Sequence, residues 1–273
     1  MKAIKNLVKI MLLVMACMLV TPNSVTTLTA KAATTSVKTI KKEGQWQKKN
    51  QKMYYVVSGK KQTGLVKIKN KTYYFDKNGV QKTGWQKISG KYYFFKIANG
   101  KDGCMQKSQK INGISIKKNG TATITSKNDY KIKALIMANQ TVEKITKPTM
   151  TKEQKLKKCY DYCVNKIQYR GSPKFEKGNQ WDAKYVINTL NKGRANCYAY
   201  GATFAYMARA IGYTESYTIS SGGHGWAEVN GKVYDVSWEK VDKKHSYYGV
   251  SYSLSGKGGR PNYKKSRTYV KKV

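Results

Sequence analysis

Aromatic and apolar residues recur along residues 44–126 with a period near 20. The first three of the four repeats combine an aromatic segment with an Asn-Gly or Ser-Gly pair, and the fourth keeps the Asn-Gly pair, a pattern that indicates one β-hairpin per repeat. A single hairpin cannot bury its aromatic face, whereas stacked neighbours can, so the pattern predicts a β-hairpin repeat solenoid. The four repeats begin at Gly44, Gly64, Gly84 and Gly103.

Beyond residue 126 the spacing of apolar residues changes to that of helices. The first predicted helix lies within 128–146, and its apolar side is formed by Ile132, Leu135, Ile136 and Val142. A second predicted helix lies within 149–169, where Thr151 is the expected N-cap and Gln154 completes a capping box.

A third helix is predicted from Cys197 to Ile211, with Gly212 ending it. Cys197 would occupy the first turn, where the helix dipole and unpaired N–H groups stabilise a thiolate. A core cysteine has no reason to prefer that position. Cys197 is therefore a candidate nucleophile, and the alternative is a buried, inert thiol.

Two β-rich runs follow, and they are joined by Asn230-Gly231, the sequence of a type I′ turn. A two-residue loop of this kind fixes the register of the strands on either side of it. The expected pairs are Val229 with Lys232, Trp226 with Asp235, and His224 with Ser237.

Side-chain alternation in this hairpin places His224, Trp226 and Asp235 on one face. His224 and Asp235 would be diagonal neighbours, with backbones about 7–8 Å apart and side chains able to meet. His224 and Asp235 thus supply a base and the carboxylate that orients it, and with Cys197 they would make up a nucleophilic triad. The opposite face of the hairpin is predicted to pack on the core through Ala227, Val229, Tyr234, Val236 and Trp238.

The N-terminus has the features of a secretory signal peptide. Lysines precede an apolar run that ends at Val20, and Ala30 and Ala32 stand at the −3 and −1 positions of a cut before Ala33. A retained membrane anchor is one alternative, and a lipoprotein modified at Cys17 is another. The sequence therefore favours secretion of a chain that starts at residue 33.

The charge of the chain is strongly positive, with 53 Lys+Arg against 14 Asp+Glu and a formal net charge of +39. Residues 1–32 contain four lysines and no acids, so the mature charge is 39 − 4 = +35. Such a field attracts polyanions. A secreted protein seldom meets nucleic acid, so the expected partner is an anionic cell-wall polymer or a membrane surface; the alternative is a merely lysine-rich, solvated surface.

Four cysteines remain after cleavage, and no disulfide framework is required to explain them. Cys159 and Cys163 lie at i, i+4 on an apolar helical face, which predicts buried thiols, with a disulfide framework as the alternative. The mature chain has two histidines, and His245 is expected at the surface. Two histidines and few acids supply no ligand cluster, so we expect no metal and no cofactor.

The repeats resemble the cell-wall-binding, choline-binding-type repeats of surface proteins of Gram-positive bacteria. The matching motifs are TGW at 83–85, YYF at 73–75 and DKNG at 76–79. The resemblance implies that aromatic side chains of successive hairpins cage a quaternary ammonium group; the alternative is that the tyrosines only form the core. The candidate ligand-binding residues are Trp85, Tyr73, Tyr74, Tyr92 and Tyr93.

The segment from about residue 130 to residue 252 resembles a bacterial transglutaminase-like domain, a branch of the papain-like fold. The matching motifs are GRANCYAYGATFAYMARAIGY, GHGWAEVNGKVYDVSW and EQKLKKCYDYCVNKIQYR. The resemblance implies acyl transfer from a protein or peptide substrate, with Cys197 as nucleophile, His224 as base and Asp235 as orienting carboxylate. Oxyanion donors would be the Cys197 backbone N–H and Tyr169, with Trp181 behind it.

The predicted fold class is an α+β papain-like or transglutaminase-like catalytic domain that follows a β-hairpin repeat solenoid. The leading functional prediction is a secreted, cell-wall-associated thiol acyltransferase. A cysteine protease or amidase on the same triad and a wall-binding adhesin without activity remain alternatives. The predicted segments are a signal peptide at 1–32, repeats at 33–126, a catalytic domain at 127–254 and a basic tail at 255–273.

Overall fold

The computed structural model describes residues 36–171 and 174–273. The predicted signal peptide at 1–32 lies outside these ranges. Within them, no helix combines the length and the apolarity that crossing a bilayer requires. The architecture is mixed α/β, with a β-rich region followed by helices that pack on a sheet, and at this level it agrees with the predicted fold class.

The first region consists of short antiparallel strands and one short 3-10 helix at Gly100–Asp102. Each of the four sequence repeats contains one hairpin, formed by β2–β3, β5–β6, β8–β9 and β10–β11. The strands are β1 (Lys38–Thr39), β2 (Gln45–Lys49), β3 (Lys52–Val57), β4 (Lys60–Lys61), β5 (Gly64–Ile68), β6 (Lys71–Phe75), β7 (Gln81–Lys82), β8 (Gly84–Ile88), β9 (Lys91–Phe95), β10 (Gln109–Ile111) and β11 (Ile114–Ile116).

The tight turns of the repeats explain why their sequences favour Ser, Asn and Gly. In the turn between β8 and β9, Ser89 and Gly90 have φ of 46° and 78°, and Asn112 and Gly113 between β10 and β11 have 53° and 76°. Two successive positive φ values are what a type I′ turn requires. The predicted hairpin signals therefore act through backbone conformation.

The second region contains five α-helices, seven strands and a short 3-10 helix at Tyr252–Leu254 within the part of the chain that the structure describes. The capping box predicted for the second helix is confirmed, because Thr151 and Gln154 bond reciprocally. The elements are α1 (Asp129–Ile145), α2 (Lys152–Lys166), β12 (Gln168–Tyr169), α3 (Trp181–Lys192), β13 (Arg194–Ala195), α4 (Cys197–Ile211), β14 (Ser216–Ser220), β15 (Gly225–Val229), β16 (Lys232–Tyr234), α5 (Val236–Val241), β17 (Tyr248–Ser251) and β18 (Tyr269–Lys272).

Helix α4 is the central element of this region. Every residue from 198 to 208 is buried, and the helix contacts α1, α2 and α3 as well as β14 and β15. Alanine and glycine on this helix keep its surface low enough for neighbours to approach on all sides. The burial leaves only its two ends near solvent, and Cys197 lies at the N-terminal one.

An antiparallel five-stranded sheet packs against α4, with strand order β17-β16-β15-β14-β18. The register Val229 with Lys232 is confirmed, and Asn230 and Gly231 both have positive φ, 48° and 72°. One face of the sheet joins the main core through Ala227, Val229 and Tyr234, as predicted.

The second face of the sheet, the one predicted to carry Trp226, is covered by a core of its own. Trp226 is 1% exposed there, in a separate apolar cluster under the loops that follow β16 and β17. The sheet is therefore packed on both sides around the hairpin. The cluster consists of Ile219, Trp226, Val233, Tyr247, Val250 and Tyr263.

The second run of the hairpin is shorter than predicted, and the expected pairs of Trp226 with Asp235 and His224 with Ser237 do not form. Strand β16 ends at Tyr234, and α5 begins at Val236. Asp235 caps this helix, because its side chain accepts a hydrogen bond from the Trp238 N–H. As a result Trp238 packs against the second cluster and not on the predicted core face.

The residues predicted to form a basic tail are part of the fold. Strand β18 pairs antiparallel with β14, and the Val273 N–H donates to the Ser216 carbonyl at 3.0 Å. Val273 is 3% exposed and Tyr263 is fully buried. The predicted boundary at 254 therefore does not separate a structural unit from a tail.

The repeat region and the helices share packing contacts. Trp85 belongs to the same buried cluster as Leu135 and Ala138 of α1. Asn139 of α1 donates from Nδ2 to the Thr83 carbonyl at 3.2 Å. The predicted boundary between 126 and 127 therefore crosses a buried apolar contact.

Candidate active site

Cys197 is the first residue of α4. Asn196 caps the helix, with its Oδ1 accepting from the Ala199 N–H at 3.0 Å. The cap satisfies the N–H of Ala199, whereas the N–H of Cys197 has no acceptor within the helix. The thiol is half-buried, at the end of the helix where negative charge is favoured.

His224 lies in the turn between β14 and β15, one residue before β15 begins. The turn is held by Ser221, whose Oγ accepts from the His224 N–H at 2.8 Å and whose N–H donates to the His224 carbonyl at 2.8 Å. The imidazole also stacks on Trp226, with ring centroids 6.0 Å apart. These contacts fix the direction of the ring.

The Asp235 carboxylate is fully buried and accepts four hydrogen bonds. Oδ2 contacts His224 Nε2 at 2.5 Å and accepts from the Tyr263 hydroxyl at 2.9 Å. Oδ1 accepts from the Ser237 hydroxyl at 2.8 Å and from the Trp238 N–H at 3.1 Å. A buried charge with this many donors is satisfied and fixed in place.

The electrostatics of His224 link it to both other residues of the predicted triad. Burial acts to lower the pKa of its imidazole, but the Asp235 carboxylate and the Cys197 side chain outweigh burial and raise the pKa to about 10. Because Nε2 contacts Asp235, the ring has Nδ1 left for the side of Cys197. The structure thus brings Cys197, His224 and Asp235 together.

Two glycines allow the backbones of α4 and β15 to touch beside Cys197 and His224. A Cβ on Gly225 would lie 2.7 Å from the Tyr198 Cα, and a Cβ on Gly201 would lie 2.5 Å from the Trp226 carbonyl carbon. Gly225 follows His224 and Tyr198 follows Cys197 in the chain. The close approach of these two backbones therefore sets the separation of thiol and imidazole.

Tyr169 lies near Cys197, as the predicted oxyanion role requires. Strands β12 and β13 pair in parallel, with Tyr169 opposite Ala195, two residues before Cys197. Its ring is 47% exposed and stacks on Tyr200 at 6.2 Å, and burial together with Cys197 raises its pKa. Trp181 is buried and lies against Tyr185.

The aromatic residues suggested as ligand-binding in the repeats are largely enclosed, which is a correction for Trp85 above all. Trp85 is 3% exposed, and its indole N–H donates to Asn112 Oδ1 at 2.9 Å. Tyr73 and Tyr93 are 2% and 5% exposed. Only Tyr74 and Tyr92 are half-buried, and Tyr74 stacks on Phe95. Packing between hairpins and against α1 uses the ring faces that a cation cage would need.

Cys159, Cys163 and His245 have no role in the candidate active site. Cys159 and Cys163 are free and fully buried, as predicted, and burial raises the pKa of Cys159 to about 12. His245 is half-buried and not at the open surface, because its Nδ1 contacts Asp242 Oδ2 at 2.8 Å.

Several residues that hold the candidate site were not found from the sequence. Tyr263 follows Asp235 by 28 positions, in a segment without periodicity, so no local pattern links the two. Asn196 and Ser237 do carry a local signal, since each is a capping-type residue beside a helix start. Gly201 stands in an otherwise alanine-rich helix, where a glycine indicates close approach of another backbone.

Comparison with known proteins identifies two segments of the chain. The family model of the choline-binding repeat matches residues 62–105. The model of the transglutaminase-like superfamily matches residues 139–243, a range that contains Cys197, His224 and Asp235. Residues 62–105 are thus similar to choline-binding repeats, and residues 139–243 to transglutaminase-like domains. No curated protein is significantly similar to the chain.

Solved structures similar to the chain include choline-binding proteins of Streptococcus pneumoniae. The choline-binding domain of Spr1274 is 26% identical with a TM-score of 0.26, over 29% of this chain and 93% of that one. Choline-binding protein F, solved with a peptidoglycan analogue, is 30% identical with a TM-score of 0.27, over 30% of this chain and 27% of that one. An alternansucrase in complex with isomaltononaose is 28% identical with a TM-score of 0.20, over 30% and 8%.

Proposed function

We propose that the protein is a cell-wall-associated thiol enzyme that transfers acyl groups from a carboxamide, in the manner of a transglutaminase. One observation carries the proposal: the half-buried His224, paired with the fully buried Asp235, lies beside a thiol at the N-terminus of α4. Asp235 caps α5 and accepts from the hydroxyls of Ser237 and Tyr263, and the same carboxylate holds the imidazole of His224. A carboxylate in this position orients the ring of a catalytic base.

In the proposed acylation step, His224 accepts the proton of the Cys197 thiol through the ring nitrogen that faces it. The thiolate attacks the carbonyl carbon of the carboxamide, and the new S–C bond gives a tetrahedral oxyanion. The imidazolium then protonates the departing nitrogen, ammonia leaves, and a thioester remains on Cys197. Asp235 keeps Nε2–H directed to itself and stabilises the positive ring throughout.

In the second half of the reaction, an acceptor attacks the thioester. His224 removes a proton from an amine or from water, the C–S bond breaks, and the Cys197 thiol is restored. An amine acceptor gives an isopeptide bond, and water gives the carboxylic acid. Oxyanion stabilisation falls to the Cys197 N–H at the start of α4 and to the hydroxyl of Tyr169, which is exposed enough to reach a substrate.

Ammonia release from a glutamine peptide tests this function, with a labelled primary amine present to separate the amide product from the acid. The purified protein should release ammonia, and Cys197→Ala should lose turnover by more than about a thousandfold. Cys104→Ala removes another half-buried thiol, in the repeats, and should retain full activity. Cleavage of the peptide backbone without ammonia release would instead establish a cysteine peptidase.

The wall association is proposed from the repeat family and from charge. Residues 44–126 contain eighteen lysines and two acidic residues. A secreted chain with this region would be held at an anionic wall polymer, with secretion directed by residues 1–32. The enzyme would then act on protein or peptide substrates at the cell surface.

A further inference from the structure

A cleft of about 310 Å³ is lined in part by Asn196, the residue that precedes the candidate nucleophile. Its walls come from the segment after β12, from the C-terminal turn of α3 and from β13 with the cap of α4. The β12–β13 pairing fixes this arrangement, because the Arg170 N–H donates to the Ala195 carbonyl at 2.7 Å. The polar lining residues are Arg170, Asn188, Thr189, Lys192, Arg194 and Asn196.

Three cations line the cleft, and no carboxylate lines it. Arg170, Lys192 and Arg194 are exposed, and over residues 36–171 and 174–273 none of them has an ion pair within 4.0 Å. The stretches 1–35 and 172–173 contain no acidic residue. The cleft therefore presents positive charge that the chain itself leaves uncompensated.

Two further titratable groups lie near the cleft, Tyr185 and Glu176, and the Glu176 carboxylate is close enough to act on the Tyr185 phenol. Tyr185 lines the cleft, and burial raises the pKa of its phenol, so the hydroxyl stays neutral. Its oxygen accepts from the Glu176 N–H at 3.2 Å, which places Glu176 in the loop next to it. The N-terminus of α4 adds a further positive potential on the side of Cys197.

One buried hydroxyl in the wall has no partner. Thr189 is 1% exposed, and its Oγ1 makes no hydrogen bond to any residue that the structure describes. A buried hydroxyl without a partner is costly, and such groups are rare in folded proteins. The Oγ1 is closed to solvent, so a ligand in the cleft would not reach it, and the hydroxyl that the lining offers is that of Tyr185.

We infer that this cleft binds a carboxylate of the acyl donor, so that the substrate is a peptide with an acidic group close to the reacting carboxamide. The inference rests on the proposed function, because Asn196 is both a wall of the cleft and the neighbour of Cys197. Guanidinium, ammonium, amide and hydroxyl donors together match a carboxylate. A peptide fits better than a phosphate polymer, because only the peptide also supplies a carboxamide to the thiol.

The inference can be tested on the thiol itself, without turnover. Iodoacetate and iodoacetamide both alkylate Cys197, with a new S–C bond and loss of iodide, but only iodoacetate carries the charge that the cleft should attract. The ratio of their alkylation rates at Cys197, followed by peptide mass spectrometry, measures that attraction. In the triple variant Arg170→Gln, Lys192→Gln, Arg194→Gln the ratio should fall roughly fivefold, the size expected of one or two exposed charge pairs.

A matched control separates the cleft from overall charge. The triple variant Lys110→Gln, Lys117→Gln, Lys118→Gln removes three exposed lysines of the repeats and should leave the ratio at Cys197 unchanged. Lys192→Gln alone, at the exposed end of α3, serves as a second variant if the triple one folds poorly. An equal fall in the cleft and repeat variants, or no fall in either, would overturn the inference.

A substrate arm distinguishes failure of the cleft from failure of the proposed function. Ammonia release is compared for a glutamine peptide with a neighbouring glutamate and for the same peptide with a neutral alanine there. The cleft variant should lose the preference for the acidic peptide, so that the ratio of kcat/KM between the acidic and the neutral peptide falls to about one. If neither peptide reacts, the proposed function fails while the alkylation ratio still decides the cleft. Protection of Cys197 from iodoacetate by inorganic polyphosphate, but not by the acidic peptide, would overturn the carboxylate assignment.

Discussion

At the scale of single residues, Asp235 has the most demanding position in the molecule. Its carboxylate is fully buried, yet it is held by His224, Tyr263, Ser237 and the N–H of Trp238. A carboxylate in this setting costs a large desolvation free energy, which only a charged or strongly hydrogen-bonded environment offsets. The positive His224 ring and three neutral donors provide that environment, so the charge states of the two residues are coupled.

Asp235→Asn should therefore change both the rate and the pH profile. With the carboxylate gone, burial acts on His224 with little opposition, and its pKa falls from about 10. The high-pH limb of kcat/KM, where the imidazolium is lost, should move to lower pH, and kcat should fall by about a thousandfold to ten-thousandfold. Alkylation of Cys197 by iodoacetamide should still proceed, because the substitution leaves the thiol in place. An unmoved high-pH limb would contradict the assignment.

The same pair contributes to stability with a definite sign. The pKa of His224 is raised above its ordinary value of about 6.5, so its contribution is full below about pH 6.5 and is lost as pH rises through about 10. In Asp235→Asn this decline between pH 6.5 and 10 should vanish from the free energy of unfolding, measured by denaturant titration at each pH.

Tyr263→Phe tests the support of Asp235 from the C-terminal segment. The change removes one hydroxyl donor to Oδ2, which should cost about 1–3 kcal/mol of unfolding free energy and lower kcat while KM stays unchanged. Tyr252→Phe is the matched control, because its hydroxyl donates to the carboxylate of Glu228 at 2.6 Å. Equal kinetic effects of the two changes would show that Tyr263 acts only on stability.

At the scale of elements, the candidate site depends on how closely α4 approaches β15. The two backbones touch through Gly225 and Gly201, and this contact places the first residue of α4 beside the residue that precedes β15. Because helix and strand are each rigid, a shift of either at this contact changes the distance between Cys197 and His224 directly.

Gly225→Ala should open this contact. Its Cβ would lie 2.7 Å from Tyr198 Cα, so the strand must move by several tenths of an ångström or more. We expect a loss of about 1–3 kcal/mol in unfolding free energy and at least about a tenfold loss in kcat/KM. Gly223→Ala lies two residues away, has no atom within 4 Å of its Cβ position, and should retain both values. Full activity of Gly225→Ala would refute the role of the contact.

The sequence predicts elements well where the signal is local. Asn230-Gly231 fixes the hairpin register, and the helix that begins at Cys197 is found from its composition and from Gly212 at its end. The helix after Asp235 is missed because its first residues, Val236 to Trp238, alternate as a strand would. The segment becomes a helix because the Asp235 side chain caps it at the Trp238 N–H. The contacts of Asp235 with Tyr263 and His224 hold that side chain in place, and they are tertiary contacts that a local pattern does not contain.

At the scale of the whole molecule, the repeats and the helices are not independent. Trp85 of the third repeat packs in the cluster of Leu135, and Asn112 of the fourth donates from Nδ2 to the Val273 carbonyl at 3.2 Å. Sequence periodicity describes each repeat alone and carries no information on which ring faces α1. The sequence therefore could not show that the aromatic residues most typical of a ligand cage are, in this chain, packed inside the protein.

That packing determines how the protein should bind a cell wall. With Trp85, Tyr73 and Tyr93 enclosed, exposed lysines remain as the main contact, so retention on purified walls should be electrostatic. Retention of the intact protein should weaken steeply as salt shortens the Debye length from about 10 Å at 0.1 M to about 3 Å at 1 M. Lys110→Gln, Lys117→Gln, Lys118→Gln should move the midpoint of release to lower salt, whereas free choline should not elute the protein. Elution by choline at constant salt would show instead that Tyr74 and Tyr92, the two half-buried rings, still form a working cage.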